Sequence, residues 1–225
     1  MPARSDLSFD EFIELQFGPA VSMYTPPWYL DPLVEHDWWE PEPREGIAYL
    51  TRLFANGPEV LHWFSDAQIA QGLTGLVNVM AIGAQPWMAD PVTPASERAA
   101  VWPAIAHFFN DVLAPKCAPE LGHLAKEPPS PINMVTYMWW ESFPGFTSPD
   151  DPERALVYDA ELDCLERVLQ IDSVACQEAA LHGLGHWVGH EPRCADVIDR
   201  YLASGKARMP ELVSYAKSAR CGCVL

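Results

Sequence analysis

Apolar residues recur along most of the chain at intervals of three and four, the period of a helix with one buried face. In SFDEFIELQF, Phe9, Phe12, Ile13 and Phe17 share a face, and Ser8 with Glu11 has capping-box spacing. In PREGIAYLTRLFANGP, Pro43 opens a helix, Ile47, Leu50 and Phe54 form its stripe, and Gly57-Pro58 is a stop signal. SDAQIAQGLTGLVNVM begins at Ser65 as cap and aligns Ile69, Leu73, Leu76 and Met80. TPASERAAVWPAIAHFFNDVL has Thr93 as cap, Pro94 at the first helical position, and Trp102, Ile105, Phe109 and Val112 on one side. Pro103 lies inside that pattern, so a kink or break is expected near Trp102. The cap-then-proline start recurs at Ser130-Pro131 and Asp151-Pro152, Ser173 caps the next segment, and Gly205 and Pro210 separate the last two helices.

No stretch alternates as a strand would, and no Asn-Gly hairpin occurs. The pattern therefore predicts an all-α fold of eight to nine helices. In the last third the links are short, which makes sequential helices antiparallel neighbours. Two helical hairpins over 152–190 and 192–220 suggest a HEAT-like, α-solenoid arrangement. The spans 18–43, 84–92, 114–130 and 144–152 are expected as long proline-rich loops. The length of 225 residues suits a single domain, in which 1–92 can form a subregion against 93–225.

Charge narrows the classes of function. Fourteen basic residues stand against thirty-one acidic ones, a formal net charge of −17. Nucleic-acid binding depends on Lys and Arg at phosphates and is disfavoured, as is an anionic membrane surface. A basic protein is the partner such a surface suits. No apolar run approaches the roughly 18 to 20 residues of a membrane helix. The opening MPARSDLSFDEF reaches acids before any apolar run forms, so no secretion signal is expected there. The six scattered cysteines then read as reduced thiols in a cytoplasmic protein.

The densest chemistry lies in ACQEAALHGLGHWVGHEPRC, where His182, His186 and His190 fall four residues apart on one side of a helix. A histidine pair at i, i+4 is a zinc geometry. The zincin pattern would need a glutamate after the first histidine, and Gly183 stands there. Residues eight apart are about 12 Å distant along a helix, so at most two of the three histidines can share an ion. His182 and His186 with Cys221 or Cys223 form the candidate zinc set, although C-x-C is tighter than the usual zinc spacing. The competing account is close packing. Two glycines within one turn cost roughly 1 kcal/mol each against alanine, and a closely approaching helix is the simplest reason for them. Packing accounts for more of these residues than a metal does.

The nine tryptophans include two adjacent pairs beside acids, in HDWWEPEPRE and YMWWESFPGF. Aromatic residues among carboxylates make anchors for a basic partner. The candidate partner-binding residues are Asp37, Trp38, Trp39 and Glu40, with Trp140, Glu141, Asp150 and Asp151. No covalent nucleophile, P-loop or dinucleotide motif occurs, so no catalytic residue is assigned.

The stretch from LDCLERVLQIDSVACQEAALHGLGHW through YAKSARCGCVL, together with YMWWESFP, resembles a group of uncharacterised bacterial all-helical proteins. ALHGLGH is similar to the inner helix of a HEAT-type repeat. The HEAT likeness implies a helical scaffold that binds other macromolecules and brings no catalytic residue. By analogy of protein type, a small acidic bacterial protein of this sort suits an immunity protein that occludes a basic toxin enzyme, with no cofactor. The alternative is a zinc-dependent hydrolase, or a zinc-stabilised domain, built on the His182/His186 helix.

Overall fold

A computed structural model describes residues 7–22, 24–30, 39–77, 84–125, 130–142 and 151–224. Among the described residues the chain is helical without a strand, as the periodicity predicts. The helices in order are α1 (Phe9–Phe17), α2 (Pro43–Ala55), α3 (Gly57–Leu61), α4 (Asp66–Val77), α5 (Ala84–Ala89), α6 (Ala95–Ala99) and α7 (Val101–Phe108). They continue with α8 (Ala114–Lys116), α9 (Pro131–Tyr137), α10 (Trp139–Ser142), α11 (Arg154–Val168), α12 (Val174–Trp187), α13 (Arg193–Ser204) and α14 (Pro210–Arg220).

Local chemistry sets most of these boundaries. The Ser8–Glu11 capping box forms in both directions, and Ser130 and Ser173 each accept a backbone N–H at the start of α9 and α12. Gly205 ends α13 in the left-handed conformation. The proline in 93–113 acts as expected, but slightly earlier. Pro103 has no N–H for the carbonyl of Ala99, so α6 ends at Ala99 and α7 starts two residues on. Two expected caps are displaced. Thr93 is buried and α6 is preceded by Pro94. Asp151 is held elsewhere, so α11 begins at Arg154. The spans expected as loops also carry short helices, with α5 inside 84–92 and α8 inside 114–130.

One hydrophobic cluster runs from Leu7 to Ala219, across the 92/93 division. Helix α2 packs on α7 and α4 on α9, which joins the early helices to the later ones. At the centre lies α12. It touches α9, α10, α11, α13 and α14, and every residue from Ala175 to Gly185 is buried. A helix apolar all round belongs inside a protein, and this one carries Gln177, Glu178 and His182 with it. No helix among the described residues is long and apolar enough to cross a membrane. All six cysteines are unpaired.

Asp151, a candidate for partner contact, is instead a buried strut. Its Oδ2 accepts from the guanidinium of Arg98 at 2.5 Å, and both side chains are all but inaccessible. Arg98 donates also to the carbonyls of Thr93 and Met88, so the pair ties the α5–α6 link to the start of α11. Burial raises the Asp151 carboxyl, but the Arg98 guanidinium and the Glu153 N–H outweigh it and hold it below its ordinary value. Asp151→Ala strands a buried cation and is expected to cost about 3–5 kcal/mol in urea unfolding. The stability this carboxylate adds is present above the unfolded aspartate pKa of about 3.9 and is lost as pH falls through the lower folded value. An Asp151→Ala protein whose urea midpoint matches the wild type would refute the strut.

Candidate functional site

The site begins with a missing Cβ. A methyl on Gly183 would lie 2.5 Å from Trp140 Cβ and 2.7 Å from its Cγ. One residue pair on, a methyl on Gly185 would meet Val224 at 2.6 Å and the α14 backbone at 3.1 Å. The glycines therefore let α10 and α14 close on α12 from two sides, the close approach expected from their spacing. Trp140 also stacks on Phe109 at 5.5 Å, in the π-helical turn after α7, so its ring is held on both flanks.

Seating Trp140 places the next residue. Glu141 projects from α10 over the histidine helix, with its Oε2 3.6 Å from His182 Nε2. His182 and His186, one turn apart, direct their Nε2 atoms at each other across 3.2 Å. All three ligand atoms lie within 4.8 Å of one another, the one such group of metal-ligating side chains among the described residues. His182 is fully buried, whereas Glu141 and His186 are exposed.

The buried side of His182 is fixed by hydroxyls. Its Nδ1 is 2.8 Å from Tyr215 Oη, which is 3.2 Å from Tyr137 Oη. Burial, then the Tyr137 contact, push the Tyr215 hydroxyl above its ordinary value, so it keeps its proton. With the proton on Nδ1, His182 donates to Tyr215 and Tyr215 to Tyr137, and the Nε2 lone pair faces His186 and Glu141; with the proton on Nε2, the hydroxyl chain donates towards Nδ1 and Nε2–H donates to His186 or Glu141. Burial, then the adjacent His186, push the His182 imidazole down to about 4, so it is neutral at pH 7. Behind Tyr215, His123 stacks on its ring at 4.2 Å. Glu178, 1% exposed, binds the His123 ring and accepts the N–H groups of Gly122 and His123.

The exposed side opens on a cleft of about 290 Å³. Its lining comprises a floor, defined by Glu141 and His186 of the ligand group with Trp140, and walls, defined by the remaining Tyr158, Trp187, His190 and Glu191. Tyr158 and Trp187 meet edge to face at 5.7 Å. Among the described residues, no lysine or arginine lines it. The nearest cation in sequence, Arg193, is spent on two carboxylates, Glu191 at 2.9 Å and Asp159 at 2.6 Å.

The candidate residues divide sharply. His182 and His186 come together with Glu141, which stood among the partner-binding candidates. Cys221 and Cys223 are not part of the group. Both are exposed past the end of α14, and Cys223 lines a different cleft with His123 and Tyr215. His190 lies beyond the end of α12 and reaches only the cleft wall. The partner anchors need correction. Trp39 is 2% exposed, packed among Phe12, Tyr49 and Trp87, and Trp140 is 2% exposed. Neither offers its ring to a partner, because each fills the core of the helices beside it. Asp151 is in the Arg98 pair, while Glu40 is exposed as expected. Asp37, Trp38 and Asp150 lie outside the described residues. Tyr158, Trp187 and Tyr215 were not singled out by sequence pattern, since each reads simply as a member of a helical stripe.

Comparison with protein-family models, with curated proteins and with solved structures finds no match. The chemistry of the site therefore rests on its own geometry. Gly183→Ala is expected to lower stability by about 1–3 kcal/mol through overpacking against Trp140. Thermal unfolding checks this, and an unchanged midpoint would show that the two helices can separate without loss.

Proposed function

We propose that the protein holds one divalent transition metal between Glu141, His182 and His186, with zinc the first expectation, and uses it for metal-assisted hydrolysis in the adjoining cleft. The convergence of the three ligand atoms carries this reading. Metal–nitrogen bonds of about 2.0–2.1 Å put neighbouring ligand atoms of one ion roughly 3 to 3.5 Å apart. The separations of 3.2 Å and 3.6 Å about His182 match this, and the third, between Glu141 and His186, is within 4.8 Å. Two imidazoles and a carboxylate are the donor set of several catalytic zinc sites, and they leave positions open for water and substrate. The same set serves non-haem iron, so iron(II) is the ion to compare.

The surrounding residues suit that role. A metal-bound histidine characteristically donates its other ring N–H to a fixed acceptor, which Tyr215 supplies for His182. A bound ion would polarise a carbonyl and acidify its water. The chain's own part is to hold the ligands, cover one side of the ion, and move a proton. Gly183 occupies the place of the zincin base, so the base comes from the cleft wall. His190 lines it, the wall carboxylate Glu191 is engaged by Arg193, and the phenol of Tyr158 is too weak a base for the role.

A second reading keeps the acidic protein as an antagonist that occludes a basic enzyme. The net charge of −17 supports it. The aromatic anchors it calls for are not supplied by Trp39 or Trp140.

Chelator-treated protein titrated with zinc by calorimetry is expected to take up one ion per chain. His186→Ala and Glu141→Gln remove a ligand each and abolish that uptake while helical circular dichroism is retained. Tyr215→Phe keeps the ligands but releases the His182 ring, and is expected to weaken zinc about 10- to 100-fold. Ester hydrolysis should appear with the ion and vanish in His186→Ala. Zinc uptake unchanged in His186→Ala would end the proposal.

A further inference from the structure

We propose that the walls of this cleft bind a small organic cation, an alkylammonium group, between Tyr158 and Trp187, in the net negative field of the Glu191–Arg193–Asp159 trio. The inference concerns the walls rather than the floor. It shares the cleft of the proposed metal centre without requiring that the centre be loaded.

Three observations converge on this class of ligand. Tyr158 and Trp187 are only partly buried, and they present rings to one small concavity. An aromatic face attracts a cation lying over it, and aromatic-walled sites are a known solution for quaternary ammonium groups. Next, the described lining carries no lysine or arginine to receive an anion, and its basic groups are the imidazoles of His186, which the proposed metal would claim, and His190. Arg193, the near candidate, is held by Glu191 and Asp159 together, so that trio keeps one net negative charge. Finally, the chain as a whole carries −17, and a cleft with low-dielectric walls focuses such a field. A phosphate or carboxylate ligand would meet all three in reverse. The volume of about 290 Å³ is at the small end for ligand sites, and suits a headgroup rather than a polymer.

The wall and the floor also fit each other. With an ion on the floor, Glu141 cancels one of its charges and the Asp159–Arg193–Glu191 trio another. A cation at the wall therefore faces a site with no net positive charge. An ester or amide with an ammonium group at one end would place the ammonium at Tyr158 and Trp187 and its carbonyl towards Glu141 and His186. Taken with the proposed hydrolysis, on which this step rests, the substrate class is a small cationic ester or amide.

The test uses three probes of matched shape: choline, its neutral isostere 3,3-dimethyl-1-butanol, and the anion 3,3-dimethylbutanoate. Each is titrated into zinc-free full-length protein and followed by the tryptophan indole N–H resonances. Choline is expected to bind about two- to fivefold more tightly than the neutral isostere, and more tightly again than the anion. Tyr158→Leu should remove the preference for choline over the isostere, while still allowing uptake of one zinc ion. Equal or tighter binding of the isostere or the anion by the zinc-free protein overturns the inference, as does absence of binding by choline. A protein that selects choline but takes up no zinc would retain this inference and lose the proposed metal centre, so the two failures are read separately.

Discussion

Trp140 lies with its Cβ and Cγ in the space that any side chain at residue 183 would occupy, and the rest of the site depends on that contact. Helix α10 is a single turn, too short to hold an orientation by its own hydrogen bonds. Its direction is imposed by the wedging of Trp140 between Gly183 on one flank and Phe109 on the other. Glu141 inherits that direction. A carboxylate half exposed on a loose turn would sample many positions, whereas here it is carried to one side of the histidine pair. Gly183 therefore serves the packing that also brings Glu141 beside the histidine pair, so close packing and a metal site are compatible readings of the same helix.

The polar groups of α12 are costly to bury, and their arrangement shows how that cost is offset. His182 has a partner at each ring nitrogen, Tyr215 on one side and His186 on the other. Glu178, one turn earlier and 1% exposed, accepts from three donors of the 122–123 segment. An unsatisfied buried polar group costs roughly 1–3 kcal/mol, so these contacts do more than decorate the core. They order a loop and two rings in series, from Glu178 through His123 and Tyr215 to His182. Removal of a link is felt at the next one. The position of Nε2 at the cleft floor is thus specified from the interior of the protein, away from solvent.

The sequence carried the helices well because each is written locally, in caps and in a stripe of period 3.6. It erred where a tertiary partner took the local signal. Asp151 reads as a cap before Pro152 and is claimed by Arg98, fifty-three residues away. Trp39 and Trp140 read as surface anchors because acids flank them, yet neighbours on a helix, as Trp140 and Glu141 are, point about 100° apart, and extended neighbours such as Trp39 and Glu40 point to opposite sides. Each acid turned outward and each indole inward. For the site, the histidine pair was legible from its spacing and the glycines from their cost. Glu141 was visible only as one acid among thirty-one. Nothing in local pattern joins α10 to α12, since α11 intervenes and the link is made by a wedge between two non-adjacent helices. The cysteines misled for the converse reason: they are near in kind to zinc ligands but sit past the end of α14, on another face.

The excess of acid deserves a different weight once the cleft is known. A charge of −17 attracts any cation, whether a basic protein, a metal ion or an alkylammonium group, and so it ranks partners by sign alone. Beyond about 8 Å at physiological ionic strength that field is largely screened. Discrimination has to come from short range. Two neutral imidazoles beside one carboxylate favour a transition metal over calcium or magnesium, which take oxygen donors. Two aromatic rings beside a paired carboxylate favour an organic cation over a hydrated inorganic one, because a ring face replaces little of a tightly held water shell. On the proposed reading, the acidic surface would bring cations near, the wall would sort them by hydration and the floor by donor type. Two such short-range filters, one turn apart on α12 and its following loop, are what a uniformly acidic surface would lack.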